Sequence, residues 1–67
     1  MNYNTALKAD IGDRLIAMYN TSIWNKNDEL IIIEKSTICN STEATFYHKR
    51  LNKICGGNIQ SFVFKNN

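Results

Sequence analysis

Short apolar runs, separated by residues that favour turns, are the feature that most constrains this chain. The longest aliphatic run is Leu30–Ile33, and clusters of Gly, Asn, Asp, Ser or Thr stand at 12–13, 25–28, 40–42 and 56–58. Apolar runs of this length suit β-strands, whereas an independent helix needs a longer periodic segment. Several short strands with turn signals between them predict a small barrel or sandwich.

The chain is expected to form one small domain over residues 1–67, with residues 1–10 as an N-terminal arm or a short helix. No repeat, low-complexity tract or linker divides the sequence. A folded chain of this size hides only about 60% of the surface that its unfolded form exposes. There is room for one small core, and a deep cleft for a large substrate is not expected.

The predicted strands follow from residue type and from punctuation. Leu30–Ile33 is rich in β-branched residues, which favours a central strand. Gly56-Gly57-Asn58 is the strongest turn signal in the chain, because glycine adopts positive φ without steric cost. The all-β interpretation places four strands at about 14–19, 30–33, 46–51 and 59–64.

Two helical stripes leave open an α+β alternative, with helices near 5–19 and 42–55. A glycine inside the first helix, Gly12, would cost about 1 kcal/mol, which favours the all-β interpretation. Asn4 or Thr5 could cap the first helix, and Ser41 or Thr42 the second. The apolar residues at helical spacing are Leu7, Ile11, Leu15 and Met18 in the first stripe, and Ala44, Tyr47, Leu51 and Ile54 in the second.

Several short segments between residues 11 and 64 carry a resemblance to a known fold family. Ala17-Met18-Tyr19-Asn20 is similar to an Ala-Leu-Tyr-Asp opening, and Asn27–Leu30 to the acidic-leucine segment that follows it. Phe46-Tyr47 stands where an aromatic pair begins the third strand, and Gly57–Val63 resembles a Gly-Tyr-Ile-Pro-Ser-Asn-Tyr-Val closing segment. These are features of SH3 domains, and Ile11–Ala17 also resembles the first strand of bacterial and phage SH3-like barrels. The resemblance implies a small SH3-like barrel of four to five short antiparallel strands.

The same resemblance implies a groove for a peptide. Tyr19, Phe46 and Phe62 would match the aromatic residues that grip a polyproline helix in peptide-binding SH3 domains. Gln60 stands in place of the groove proline, and Phe46 lacks the indole N–H that bonds the ligand backbone, so recognition of a proline-rich peptide is not expected. The alternative is that the three aromatic residues belong to the core.

Trp24 is a candidate for contact with a protein partner. It lies between Asn20 and Asn27 in a polar, turn-like stretch that offers an indole no obvious core. Exposed aromatic residues on loops bring a large contact area at little entropic cost. The alternative is that Trp24 folds back as a lid over one end of the barrel.

An aromatic and basic cluster lies in the C-terminal half. Residues 35–67 hold five basic residues and one acidic residue, whereas residues 1–34 carry a net charge of −2. Cations beside a stacking aromatic ring are typical of nucleic-acid binders, although adjacent polar residues more often form a solvated face. The cluster consists of Tyr47, His48, Lys49, Arg50 and Lys53.

Catalysis, metal binding and cofactors are not expected. Soft metal ligands are limited to Cys39, Cys55 and His48, with no C-x-x-C pair. No glycine loop of the phosphate-binding type is present. No run approaches the roughly 20 apolar residues that cross a bilayer, and the first residues lack the plan of a secretory signal. We expect a cytoplasmic protein with reduced cysteines and no membrane partner.

The sequence therefore predicts a non-enzymatic binding module that contacts a protein. The candidate partner-binding residues are Tyr19, Trp24, Phe46, Tyr47, His48 and Arg50. The asparagine-, isoleucine- and lysine-rich composition without proline fits a phage or mobile-element accessory protein that modulates a host complex. The alternative is a regulatory protein that binds DNA or RNA through Tyr47, Lys49, Arg50 and Lys53. Unpaired strand edges would also permit self-association.

Overall fold

The fold is an antiparallel sheet of five strands with one short helix, as seen in a computed structural model that describes residues 1–65. The chain runs through α1 (Tyr3–Lys8), β1 (Arg14–Ala17), β2 (Glu29–Lys35), β3 (Glu43–His48), β4 (Lys53–Asn58), a 3-10 turn (Ile59–Ser61) and β5 (Phe62–Phe64).

The strands pair in the order β4-β3-β2-β1-β5, and every pair is antiparallel. The first four strands follow one another across the sheet, and the 3-10 turn brings β5 back beside β1. The all-β prediction is confirmed. Within residues 1–65, β4 and β5 do not pair with each other, so the sheet is open rather than a closed barrel.

The helices expected near 5–19 and 42–55 in the α+β alternative are wrong. Both segments contain strands in which buried and exposed residues alternate, as in β3, where Ala44, Phe46 and His48 are buried. These segments form strands and not helices because β1 and β3 each pair with a neighbouring strand on both sides within the sheet. Within residues 1–65 the one α-helix is Tyr3–Lys8, and its N-cap is Asn2, whose side chain accepts a hydrogen bond from the amide of Thr5.

The turn expected at Gly56-Gly57-Asn58 is also wrong, since these residues lie inside β4 and pair with β3. The reason is visible at Gly57, where an added Cβ would stand 2.9 Å from the Trp24 ring. Glycine is therefore needed at this position for close packing and not for a turn. The strand expected at 59–64 is half right, because Ile59–Ser61 forms the 3-10 turn and only Phe62–Phe64 is extended.

Three asparagines and one glycine have positive φ values in the turns of residues 1–65. Asn27, Asn40 and Asn52 have φ values of 74°, 63° and 52°, in the left-handed region that asparagine tolerates better than most residues. Gly12 has a φ of 95° and stands in the turn before β1. The predicted turns at 12–13 and 25–28 are confirmed.

The core lies on one side of the sheet, which we call the inner face. Trp24, Phe46 and Phe62 form an aromatic cluster in which Phe62 stands 4.9 Å from each of the other two ring centroids. Tilted rings at this separation attract one another in addition to the apolar area that they bury. The other buried apolar residues are Ala6, Ala9, Leu15, Ala17, Leu30, Ile32, Ala44 and Ile59.

Candidate protein-binding surface

The opposite side of the sheet, the outer face, carries apolar side chains in a row across three strands. Ile31 of β2 is paired with Tyr47 of β3, and Tyr47 is paired with Ile54 of β4. Directly paired residues in an antiparallel sheet have side chains on the same face and in contact range. We call Ile31, Tyr47 and Ile54 the outer stripe.

The apolar surface extends beyond the outer stripe. In the adjacent row, Ile16 of β1 is paired with Val63 of β5. Ile33 is the extra residue of a bulge in β2, where the register shifts between Ile32 and Glu34, and its side chain is exposed. The solvated face of an antiparallel sheet is normally polar. The outer face also carries charged residues, with Arg14 paired to Ile31 and Glu29 paired to Ile16. An apolar patch among them is typical of a surface that another molecule covers.

Ile54 is the most exposed member of the outer stripe, with 69% of its surface accessible. It lies on β4, at the edge of the sheet, while Ile31 and Tyr47 are half-buried between neighbouring strands. The hydroxyl of Tyr47 donates a hydrogen bond to Oδ1 of Asn52 at 2.5 Å, which fixes the ring over the turn between β3 and β4. The outer stripe is thus positioned by the sheet and becomes more exposed toward β4.

An ion-pair network borders the apolar surface. Glu29 accepts hydrogen bonds from Nζ of Lys65 at 2.5 Å and from Nζ of Lys49 at 3.1 Å. These bonds, the one from Lys65 first, lower the pKa of Glu29. Lys49 is half-exposed, so its pair with Glu29 adds little stability on its own. The network places fixed charges of both signs beside Ile16.

Three of the predicted partner-binding residues lie in the interior. Phe46 and His48 are fully buried on the inner face, and Trp24 is only 6% exposed. The expectation that Trp24 is exposed on a loop is wrong, since its ring packs on Phe62 and over Gly57. Its indole N–H has no hydrogen-bond partner among the described residues. Trp24 is folded back into the interior, as the alternative interpretation expected, but the open sheet has no barrel end for it to cover.

His48 and Arg50 meet at one carboxylate. Nε2 of His48 lies 2.8 Å from Oδ2 of Asp28, and the guanidinium of Arg50 donates to both oxygens of Asp28 at 2.9–3.1 Å. The amide of Asn25 also donates to Oδ2. This arrangement, which we call the Asp28 cluster, ties the loop before β2 to the end of the β3–β4 hairpin.

The charges of the Asp28 cluster stabilise the fold. The hydrogen bond from Arg50, followed by the bonds from Asn25 and His48, holds the pKa of Asp28 well below its usual range despite burial. The same contact raises the pKa of Arg50. Because Asp28 is saturated with donors and His48 is buried, neither side chain is presented to a substrate.

The remaining predicted residues are at the surface but do not converge. Tyr19 is 59% exposed and lies in the loop after β1, whereas Tyr47 lies on the outer face. Lys49 and Arg50 are engaged by Glu29 and Asp28. Lys53 is exposed at the start of β4. The residues named for nucleic acid therefore include two cations that already pair with carboxylates of the same chain.

Sequence reasoning missed most of the apolar outer face. One signal could have found it: Leu30–Ile33 is apolar at every position, so that a strand there is apolar on both faces. A continuous apolar run is typical of a strand that is covered on both sides. The residues missed are Ile16, Ile31, Ile33, Ile54 and Val63.

The thiols and carboxylates do not form a metal site. Among residues 1–65, no three His, Cys, Asp or Glu side chains come together as metal ligands. Cys39 and Cys55 are both free, with Cys39 exposed and Cys55 partly buried. Nor does this part of the chain contain a helix of sufficient length and apolarity to cross a membrane.

The chain matches no protein-family model, no curated protein and no solved structure.

Proposed function

We propose that this protein is a non-enzymatic binding module that contacts a protein partner through the outer face of its sheet. The observation that carries the proposal is the outer stripe, in which Ile31, Tyr47 and Ile54 stand side by side on the solvent side of an antiparallel sheet. Ile16 and Val63 lie in the next row and widen it. Contiguous apolar patches on a small domain favour contact with another macromolecule.

Tyr47 links this proposal to the sequence-based prediction. Aromatic residues that combine a large apolar body with a polar tip are enriched in protein interfaces. The ring of Tyr47 is held by Asn52 and flanked by Ile31 and Ile54, so it loses little freedom on binding. Tyr19 and Arg50 lie outside the outer stripe and are not needed for this contact.

The nucleic-acid alternative is less favoured by the charges. Binding to phosphates requires cations that can exchange their counterions for phosphate oxygens. Lys49 and Arg50 already pair with carboxylates of the same chain. A phosphate would have to compete with Glu29 and Asp28 for these cations, whereas an apolar partner could use the outer stripe as it stands.

The biological setting is a further part of the proposal. Small size, the composition rich in asparagine, isoleucine and lysine, and the absence of proline support an accessory protein of a phage or mobile element. We propose that it works in the cytoplasm and modulates a protein complex of its host. Binding alone suffices for that role, and no enzymatic step is proposed.

The test is capture of a partner by matched isoleucine variants. Ile33→Asp places a charge on the outer face at an exposed position, and Ile38→Asp places the same charge on an exposed isoleucine outside the sheet. Immobilised protein is incubated with a lysate of the host cells, and captured proteins are identified by mass spectrometry. We expect a partner that wild type and Ile38→Asp capture and that Ile33→Asp does not.

Other outcomes discriminate between the functions. Capture of the same partner by both variants, each shown to be folded by circular dichroism, would remove the outer face as the site. Retention of nucleic acid that weakens steeply with salt, and that is lost on changing Lys49 and Lys53 to Glu, would favour the nucleic-acid alternative.

A further inference from the structure

The free edge of β4 differs from an ordinary sheet edge in its length and its composition. β4 spans Lys53–Asn58 and has a strand partner on one side only among the described residues. Native edges are usually short, charged or covered, because an open edge is a template for another strand. β4 has one charged residue, Lys53, and that residue stands at its end.

The hydrogen-bond alternation shows which backbone groups are available along this edge. The amide of Ile59 donates to the carbonyl of Thr42, and this pair continues the register of β3 with β4. In an antiparallel ladder, hydrogen-bonded pairs alternate, so odd-numbered residues of β4 bond toward β3. The N–H and C=O groups of Ile54, Gly56 and Asn58 therefore point to the free edge.

Among the described residues, no contact requires position 56 to be glycine. A Cβ built there would meet only the carbonyl oxygen of Ala44 at 3.8 Å, an ordinary contact, and its φ lies outside the left-handed region. Its neighbour Gly57, in contrast, is required by the Trp24 ring. A glycine in a strand interior often marks the close approach of another backbone or side chain.

We propose that β4 pairs antiparallel with β4 of a second copy of this chain, with Cys55 on the two-fold axis. In this register Ile54 stands opposite Gly56 of the second copy, and Gly56 opposite its Ile54. The exposed side chain of Ile54 then fills the space over Gly56 of the second copy, which has no side chain. This inference goes beyond the proposed function, because it concerns the strand edge and not the partner of the outer face.

The second copy is favoured by the self-complementarity of β4. Lys53 stands opposite Gly57 of the second copy, so the two lysines are kept apart along the seam. A register centred on Gly56 would instead place Ile54 opposite the polar Asn58. Shifting the second copy by a single residue in either direction would place edge-facing backbone groups opposite groups that already bond to β3. The alternation of edge groups therefore excludes those two registers. Among the registers that pair most of β4, the one with Ile54 opposite Gly56 therefore places an apolar side chain over a residue without a side chain.

The opposite edge of the sheet does not offer the same template. β5 has only three residues, and the ammonium group of Met1 donates to the carbonyl oxygens of Gln60 and Phe62 at 2.9 and 2.8 Å. A pairing of six-residue strands covers less than the roughly 800 Å² per partner of a standard stable interface. We therefore expect a dimer that dissociates on dilution.

The cysteines of the chain provide the first test. On the two-fold axis, Cys55 forms a non-hydrogen-bonded pair with Cα atoms about 4.5 Å apart, inside the roughly 4.4–6.8 Å range that a disulfide spans. Cys39→Ser leaves Cys55 as the only thiol, and Cys55→Ser leaves the more exposed Cys39 as the matched control. Both are oxidised with copper phenanthroline and separated without reductant.

We expect a cross-linked dimer of the Cys39→Ser variant and little cross-linking of the Cys55→Ser variant. Burial raises the pKa of the Cys55 thiol, so random collisions in solution would favour cross-linking through Cys39. Equal or greater cross-linking through Cys39, or none through Cys55, would overturn the proposal.

A measurement without covalent chemistry completes the test. The Cys39→Ser/Cys55→Ser double variant should shift from monomer to dimer mass with rising concentration in sedimentation. Adding Gly56→Lys should abolish that shift, because the lysine would occupy the space of Ile54 from the second copy. Val63→Lys, on the outer face of β5, is the matched control and should still dimerise.

Ile54→Lys provides a second variant in case Gly56→Lys does not fold, because Ile54 is largely exposed. It should also remain monomeric. β4 pairing would be contradicted if the Cys39→Ser/Cys55→Ser protein stayed monomeric at all concentrations. It would also be contradicted if the folded Gly56→Lys and Ile54→Lys variants both still dimerised. Ile33→Asp should leave the dimer intact, so a failure here is distinguishable from a failure of the proposed function.

Discussion

The two edge strands of the sheet differ in how they are held. β5 contributes Phe62 to the centre of the aromatic cluster, and Lys65, which follows it, bonds to Glu29. β4 contributes two glycines and leaves Ile54 largely exposed. The difference indicates that a chain this small concentrates its stability at the β5 edge and leaves the β4 edge available for contact.

The largest expected effect is at the aromatic cluster. Phe62→Ala should cost about 3–5 kcal/mol, because it removes a fully buried ring between Trp24 and Phe46 and leaves a cavity. Ile54→Ala, the matched truncation on β4, should change the free energy of unfolding of the monomer by about 0.5 kcal/mol or less. Urea denaturation in dilute protein measures both. Equal costs would refute the contrast between the two edges.

The next effect separates two adjacent glycines of β4. Gly57→Ala should destabilise the fold by about 1–3 kcal/mol, because the new Cβ would overlap the Trp24 ring. Gly56→Ala should be neutral or stabilise the monomer by about 0.5–1 kcal/mol, since alanine fixes the unfolded chain more than glycine does. Thermal melts of the dilute variants check the difference. A Gly56→Ala variant as unstable as Gly57→Ala would show that β4 is constrained along its whole length.

A smaller effect concerns pH and the anchorage of the β3–β4 hairpin. Because the pKa of Asp28 in the folded protein lies below its ordinary value of 3.8, ionised Asp28 stabilises the fold above that pH. This stabilisation is lost progressively as the pH falls through that value toward the lowered pKa of the folded protein, because the unfolded chain binds a proton at Asp28 before the folded protein does. Asp28→Asn should therefore flatten the decline in unfolding free energy at acidic pH, measured by urea denaturation from pH 7 to pH 3.

Glu43→Gln serves as the control for that measurement, since Glu43 is an exposed carboxylate on β3. It should leave the acid-dependent decline close to that of the wild type. An Asp28→Asn variant with an unchanged decline would assign acid sensitivity to other groups, Glu29 first, because its pKa is also lowered.

Local signals were sufficient to predict the all-β class and part of the turns. Leu30–Ile33 could only be a strand at its length, and Asn27 supplies the left-handed backbone that the turn before β2 needs. β4 was missed because Gly56 and Gly57 read as a turn in isolation. The reason for Gly57 is a tryptophan more than thirty positions away, and no local pattern carries that contact.

The candidate surface was less predictable than the fold. Trp24 looks exposed among polar neighbours, and only the hollow at Gly57 and the ring of Phe62 explain its burial. His48 and Arg50 look like free polar groups until Asp28 is brought beside them by the pairing of β2 with β3. Such pairings depend on strand order, which short degenerate motifs do not determine.

Amide hydrogen exchange along β4 tests the contrast between the edges most directly. We predict that the amides of Ile54, Gly56 and Asn58 exchange rapidly in dilute protein and become protected as the concentration rises, while those of Cys55 and Gly57 are protected throughout. The amides of β5 should show no dependence on concentration. Protection of Ile54, Gly56 and Asn58 that is the same at every concentration would contradict an edge left open for a second strand.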